Sequence, residues 1–280
     1  MEGMATPATS TPAAATMDVM STSGFVPLRT SAPRSRVEWE LEDDDTVPES
    51  SPHNLAVHLI YEIFVAWVER VGLSANVERN IAVRWDRARP KVGVDPDVAI
   101  FTPCIPERDD LQSVLTWKPG HSPPLLAIEV VSESNARKDY GASPEKYAAN
   151  GAEELWVFDP KLVGPRAAGG PFRLQVWVRG DDGGFDRIYA GEGPVLSPRL
   201  SREGKDAWIV MTSAGKRLRV ADDRNGESLW LTNEERERAE KERLLSEKQQ
   251  VIAEKELALA ETERALARVA ELEALLAKKG

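Results

Sequence analysis

Two acidic residues stand where an unpaired charge is costly. Glu129 sits in the middle of the apolar run LLAIEVV, Leu125 to Val131, and Asp97 opens the run DVAIF just after Asp95-Pro96. Asp139 and Lys146 follow the second run closely, with Lys138 beside them. A carboxylate inside an apolar strand needs a partner or a metal. If the two runs are neighbouring strands, two carboxylates meet in one buried place, and their repulsion calls for a proton or a divalent cation. Oxygen-only ligands of this kind suit Mg²⁺ or Mn²⁺. A nearby lysine could then stabilise charge on a phosphate or orient a water. The residues alone leave other readings open: Asp97 as a strand-entry cap, and Glu129 paired with a buried arginine such as Arg84.

The elements that must position these groups are readable from periodicity. Leu55, Leu59, Ile63, Phe64, Trp67 and Val71 recur at helical spacing and Gly72 follows as a stop, which predicts an amphipathic helix of about 18 residues from Pro52. Strand-like pieces run from Asn80 to Trp85, Val94 to Phe101 and Leu125 to Val131. SPEKYAANG reads as a short helix with Ser143 as N-cap, Pro144 at the first helical position and Gly151 as the stop. Leu155 to Phe158 is another strand, closed by Asp159-Pro160, and KLVGPRAAGG reads as a flexible loop. Phe172 to Val178 and Phe185 to Tyr189 form a hairpin about Asp182-Gly183-Gly184. Trp208 to Met211 and Arg217 to Val220 make a last small pair. Helix, strands, helix, strands predicts an α/β or α+β domain on one mixed sheet, placed at residues 38–230.

Composition narrows the rest. The chain has 280 residues, 41% hydrophobic, with a formal net charge of −10. No apolar run approaches the ~20 residues of a membrane span, and MEGMATPATSTPAAATMDVM lacks the basic start and apolar block of a signal peptide. Cys104 is the only cysteine, which excludes an intrachain disulfide and a cysteine zinc cluster. A cytoplasmic protein is the default expectation. The acidity is uneven: residues 1–50 hold three Lys/Arg against nine Asp/Glu, and residues 233–280 hold ten against twelve. The centre is nearly neutral, so whole-chain charge does not exclude DNA as a partner. Residues 1–37, rich in Ala, Ser, Thr and Pro, read as a disordered arm, and EWELEDDD as an acidic linker patch.

The tail, residues 231–280, opens with a capping box at Thr232 and Glu235. Leu245, Ile252, Leu259 and Leu266 then fall seven residues apart, and Val269 and Leu276 add a second seam. Lys248, Lys255 and Thr262 occupy the other half-heptad. A long helix follows, either a coiled coil pairing two copies or a solvated single helix.

The ordered runs PDVAI, PPLLAIEVVSES and KDYGASPEKYAANGAEELWVFDP resemble the Uma-two family of restriction-endonuclease-like proteins in the PD-(D/E)XK nuclease superfamily. The similarity spans about Pro52 to Val220. It implies a mixed-sheet nuclease core and Mg²⁺-dependent (or Mn²⁺-dependent) hydrolysis of DNA phosphodiester bonds. By the same resemblance Asp97 and Glu129 are metal ligands, Glu62 on the opening helix is a third acidic ligand, and Lys146 or Lys138 assists. The superfamily lysine two residues after the second acid is here Val131, and a second position where relatives carry lysine is here Ser143. Those departures keep a rival open: an inactive nuclease-fold scaffold that assembles through its helical tail. His53 and His58 lack partners at zinc-motif spacing. Tyr147 and Trp156 read as core, with base stacking as the sharper alternative. Ser132 and Ser134 lack the turn of a nucleophilic serine.

Overall fold

In the computed structural model, residues 28–31, 34–41, 50–106, 111–201 and 205–278 are described. Most of the arm read as disordered, and residues 42–45 of the acidic patch, lie outside them. The elements in chain order are β1 (Arg29–Thr30), α1 (Ser51–Val71), β2 (Asn76–Glu78), β3 (Ala82–Arg84), β4 (Gly93–Val94), β5 (Val98–Phe101), β6 (Ser113–Leu115) and β7 (Leu126–Val130). They continue with α2 (Ser143–Asn150), β8 (Glu154–Phe158), β9 (Leu174–Arg179), β10 (Phe185–Gly191), β11 (Val195–Leu196), β12 (Trp208–Thr212), β13 (Arg217–Ala221) and α3 (Asn233–Ala277).

Seven strands form the main sheet in the order β1-β10-β9-β8-β7-β5-β2. β7 and β8 run parallel, and the other pairs in this sheet are antiparallel. The expected mixed sheet is therefore present, and two small sheets accompany it, β11-β12-β13 and β4-β3-β6. The run expected from Asn80 to Trp85 holds a shorter strand, Ala82–Arg84, which joins a small sheet rather than the main one, and Asn80 takes a left-handed φ of 51° before it. The run from Val94 to Phe101 divides at Asp95-Pro96: its first part joins the small sheet and its second the large one. A proline supplies no ladder donor, which is where such a break falls.

Alternation along β7 divides the core in two. Leu126, Ile128 and Val130 face α1 and the β11–β13 sheet. Ala127 and Val131 face α2 and the β4-β3-β6 sheet. Glu129 shares that second face, because side chains alternate with period two.

α1 ends as expected. Gly72 takes a left-handed conformation (φ 63°) and its N–H caps the carbonyls of Val68 and Glu69. The buried stripe is Val57, Ile60, Ile63, Phe64, Trp67 and Val68, whereas Leu55 and Val71 lie exposed. The buried stripe thus shares Ile63, Phe64 and Trp67 with the expected one and adds Val57, Ile60 and Val68. α2 also departs from expectation. The chain enters it through a π-helical turn, Lys138–Ala142, so Ser143 already has helical φ of −61° and is not the cap. The loop after β8 is held rather than free: Asp159 accepts hydrogen bonds from the N–H groups of Val163 (3.1 Å) and Gly164 (2.8 Å) and from Tyr140 Oη (3.0 Å).

α3 begins at the expected capping box, with Glu235 N–H donating to Thr232 Oγ1 at 3.1 Å and Thr232 N–H to Glu235 Oε2 at 3.0 Å. Arg219 on β13 grips Glu235 at 2.9 Å, and Trp230 stacks on Trp67 of α1 with centroids 4.8 Å apart. Thr232→Ala is expected to cost about 1 kcal/mol in urea unfolding, the usual value of a lost cap. No helix among the described residues is long and apolar enough to cross a membrane.

Candidate active site

β5 and β7 pair antiparallel with Val98 opposite Ile128. One residue further along that register, Asp97 stands opposite Glu129. Both point to the α2 face, into a cleft of about 1040 Å³ between the N-terminus of α1, the ends of β5 and β7 and the turn before α2. The cleft is lined by His53, Asp95, Asp97, Glu129, Lys138 and Asp139, among others.

Each carboxylate is oriented. Val130 N–H donates to Asp97 Oδ2 at 2.6 Å, tying the aspartate to the strand that carries Glu129. His53 Nε2 lies 3.2 Å from Asp97 Oδ1. Glu129, 2% exposed, accepts a hydrogen bond from Tyr147 Oη at 2.8 Å on Oε1. Its other oxygen faces the Lys138 ammonium at 3.8 Å, which is also 3.4 Å from Asp139 Oδ1. Lys138 and Asp139 are consecutive residues of the π-helical turn, and both line the cleft.

The electrostatics follow from burial and crowding of like charge. Burial pushes the Glu129 carboxyl up to about 8; Lys138 and the Tyr147 hydroxyl oppose the shift, and the charges of Asp139 and Asp97 add to it. Burial raises Asp139 to about 6, with Lys138 opposing. Glu129 in turn holds the Lys138 ammonium above its ordinary value, keeping it protonated. Burial lowers Lys146, with the positive charge of Lys138 adding to the effect. Asp95 is raised by burial, which Lys138 and Lys146 partly offset.

Of the residues singled out in the sequence, Asp97, Glu129 and Lys138 come together. Lys146 lies on α2, near enough for its charge to act on Glu129 and Asp95, but it is not part of the cleft lining. Glu62 does not join the group; its nearest charged partner is His58, at 4.0 Å. Arg84 donates to the Pro90 carbonyl at 3.1 Å, and no arginine is seen on Asp97 or Glu129 among the described residues. Three contributors were not assigned these roles from sequence: His53 against Asp97, Asp139 beside Lys138, and the Tyr147 hydroxyl on Glu129. Only Asp139 carried a usable signal, as an acid adjoining a candidate lysine.

The donor chemistry fits a hard divalent cation. Buried carboxylate oxygens that raise one another's affinity for protons would be relieved by such an ion. Among the described residues no three His, Cys, Asp or Glu side chains are gathered for chelation. A pair of carboxylates is nevertheless what Mg²⁺ ordinarily takes from protein, with water and substrate oxygens completing its shell.

The Glu129 shift has a measurable consequence in metal-free protein. The folded chain keeps this proton up to about pH 8, whereas the unfolded chain releases it near 4.5. Folding therefore takes up a proton in that window, and stability falls as pH rises through it. Glu129→Gln is expected to flatten that part of the melting-temperature profile measured in chelator. Identical profiles for variant and wild type would show that Glu129 is not held protonated.

Residues 30–163 match the Uma2 family, described as "Putative restriction endonuclease". A solved structure from Anabaena variabilis, titled as that of a putative nuclease belonging to DUF820, is 14% identical, with a TM-score of 0.35, covering 55% of this chain and 74% of that chain. No curated protein matches the chain.

Proposed function

From the Uma2 match over residues 30–163, we propose that this protein is a metal-dependent endonuclease that hydrolyses phosphodiester bonds in DNA. The observation that carries the proposal is the cross-strand placement of Asp97 and Glu129 in an open cleft, with the Lys138 ammonium 3.8 Å from Glu129. Asp97 and Glu129 would hold Mg²⁺ or Mn²⁺, which when bound lowers the pKa of a coordinated water and offsets charge on phosphate oxygens. Hydrolysis forms a bond from a water oxygen to phosphorus and breaks the bond from phosphorus to the leaving sugar oxygen; the proton that the water gives up balances the one that the leaving oxygen takes from solvent. Lys138 supplies a fixed positive charge where the phosphate gains negative charge. His53 and the Val130 N–H keep Asp97 from rotating out of place, and the Tyr147 hydroxyl does the same for Glu129.

Lys138 also bears on the rival reading of an inactive scaffold. That reading draws on Val131, an apolar residue at the superfamily lysine position, and on Ser143. Val131 is a buried core residue at the wall of the cleft and brings no charge to it. Lys138 approaches Glu129 from the turn instead, so an ammonium is present without a lysine on the strand. Among the described residues no arginine locks either carboxylate, as a scaffold would favour.

The test is plasmid nicking by purified protein with Mg²⁺ or Mn²⁺. Conversion of supercoiled to open-circular DNA in the presence of metal, and none in chelator, is expected. Equal inertness of wild type and the Asp97 and Glu129 variants with either metal would remove the basis of the proposal. The reading also includes self-association through the exposed apolar side chains of α3.

A further inference from the structure

α3 leaves the domain after its first turns and carries its apolar residues in the open. Leu245, Ile252, Leu259, Leu266, Val269 and Leu276 are all exposed. With Leu245 as heptad position a, the a series is Leu245, Ile252, Leu259, Leu266 and Glu273. The d series is Lys248, Lys255, Thr262, Val269 and Leu276. Lys248, Lys255 and Glu273 are exposed, and none takes part in the ion pairs along this helix among the described residues.

The two orientations of a self-pair differ sharply in charge. A parallel pair aligns each residue with its own copy. It would set Lys248 on Lys248, Lys255 on Lys255 and Glu273 on Glu273 within the seam, three like-charge contacts of the kind that specify against a partner. An antiparallel pair centred between Ala260 and Glu261 aligns a with d. It sets Leu245 on Leu276, Ile252 on Val269, Leu259 on Thr262 and Lys255 beside Leu266. It also sets the lone acid of the a series, Glu273, on Lys248. The flank bearing Glu256 and Glu263 stays in water, where salt screens their repulsion.

We infer that the partner of α3 is a second copy of this chain, bound antiparallel in this register. The inference rests on the self-association included in the proposed function and adds its orientation. The helix rises 1.5 Å per residue, so the two starts at Asn233 stand about 80 Å apart. The two clefts then sit at opposite ends of a rod and cannot close on one phosphodiester pair. Each makes its own cut, at sites separated by roughly two turns of duplex or more, at about 34 Å per turn.

Charge exchange tests this directly. Lys248→Glu alone and Glu273→Lys alone should each weaken dimerisation about tenfold or more by analytical ultracentrifugation, and the double exchange should restore it. Circular dichroism of each variant checks that the helix is retained. In a parallel pair each single exchange only replaces one like-charge contact by another, so no change and no rescue is expected. Spin labels at Ser246→Cys in a Cys104→Ser background should lie about 45 Å apart in the dimer. A short Ser246 distance with inert exchanges overturns the orientation while leaving the dimer standing. A full-length protein that remains monomeric overturns both, and nuclease activity does not bear on either outcome.

Discussion

Glu129→Gln and Asp97→Asn are each expected to lower metal-dependent plasmid nicking by about a thousandfold or more, roughly 4 kcal/mol of barrier. Neither change alters side-chain volume appreciably, so folding should survive. Glutamine keeps the partner for the Tyr147 hydroxyl and asparagine keeps an acceptor for the Val130 N–H. What each removes is a charge. Lys138→Ala should cost less, about a hundredfold, because it acts on the phosphate without holding the metal. Lys146→Ala should cost less again, since Lys146 influences the cleft only at a distance. A larger loss at Lys146 than at Lys138 would reverse the assignment made between the two lysines.

Trp156→Ala is expected to destabilise the domain by about 3–5 kcal/mol, the range for deleting a fully buried large aromatic. Trp156 is 0% exposed at the centre of β8 and lies 5.8 Å from the Phe64 ring of α1, centroid to centroid. Its indole N–H donates to Glu154 at 2.6 Å. Burial holds the Glu154 carboxyl up to about 7, against the pull of Trp156, Ser197 and the Arg199 N–H. The substitution thus opens a cavity and removes one of the donors that keep a buried acid satisfied. Urea titration should show a lower midpoint with an unchanged slope. A cost below about 1 kcal/mol would mean that α1 does not pack on this sheet as described. This placement also removes Trp156 from any role in stacking on a base.

How legible the molecule was in its sequence depended on whether a residue's role was local. Glu129 stood out because it is the one charge in an otherwise unbroken apolar run, and the register of β5 with β7 then brought Asp97 opposite it. Gly72 and the Thr232–Glu235 capping box were readable because caps are set within one turn of chain. Lys138 could not be preferred over Lys146 on spacing alone. The preference comes from position: Lys138, in a π-helical turn that no periodicity announces, lines the cleft 3.8 Å from Glu129, and Lys146 does not line it. His53 lies 44 residues from Asp97 in the chain and meets it only because α1 crosses the end of β5. Tyr147 was rightly placed in the core, yet its hydroxyl is the part that matters to the site. Arg29–Thr30, within the segment read as an arm, pairs with Phe185 and Asp186 as an edge strand. Two residues of strand are too few for a periodic signal.

Calorimetric titration with Mn²⁺ tests, without depending on substrate, whether Asp97 and Glu129 together bind a divalent cation. At pH 7 wild type should bind one ion and release close to one proton, because Glu129 must give up a proton held to about pH 8. Heats should accordingly differ between buffers of different ionisation enthalpy. Glu129→Gln and Asp97→Asn should each weaken binding by about a hundredfold, and Glu129→Gln should abolish the buffer dependence. Absence of binding by wild type from pH 6 to 9, or binding that both variants retain, would contradict the account.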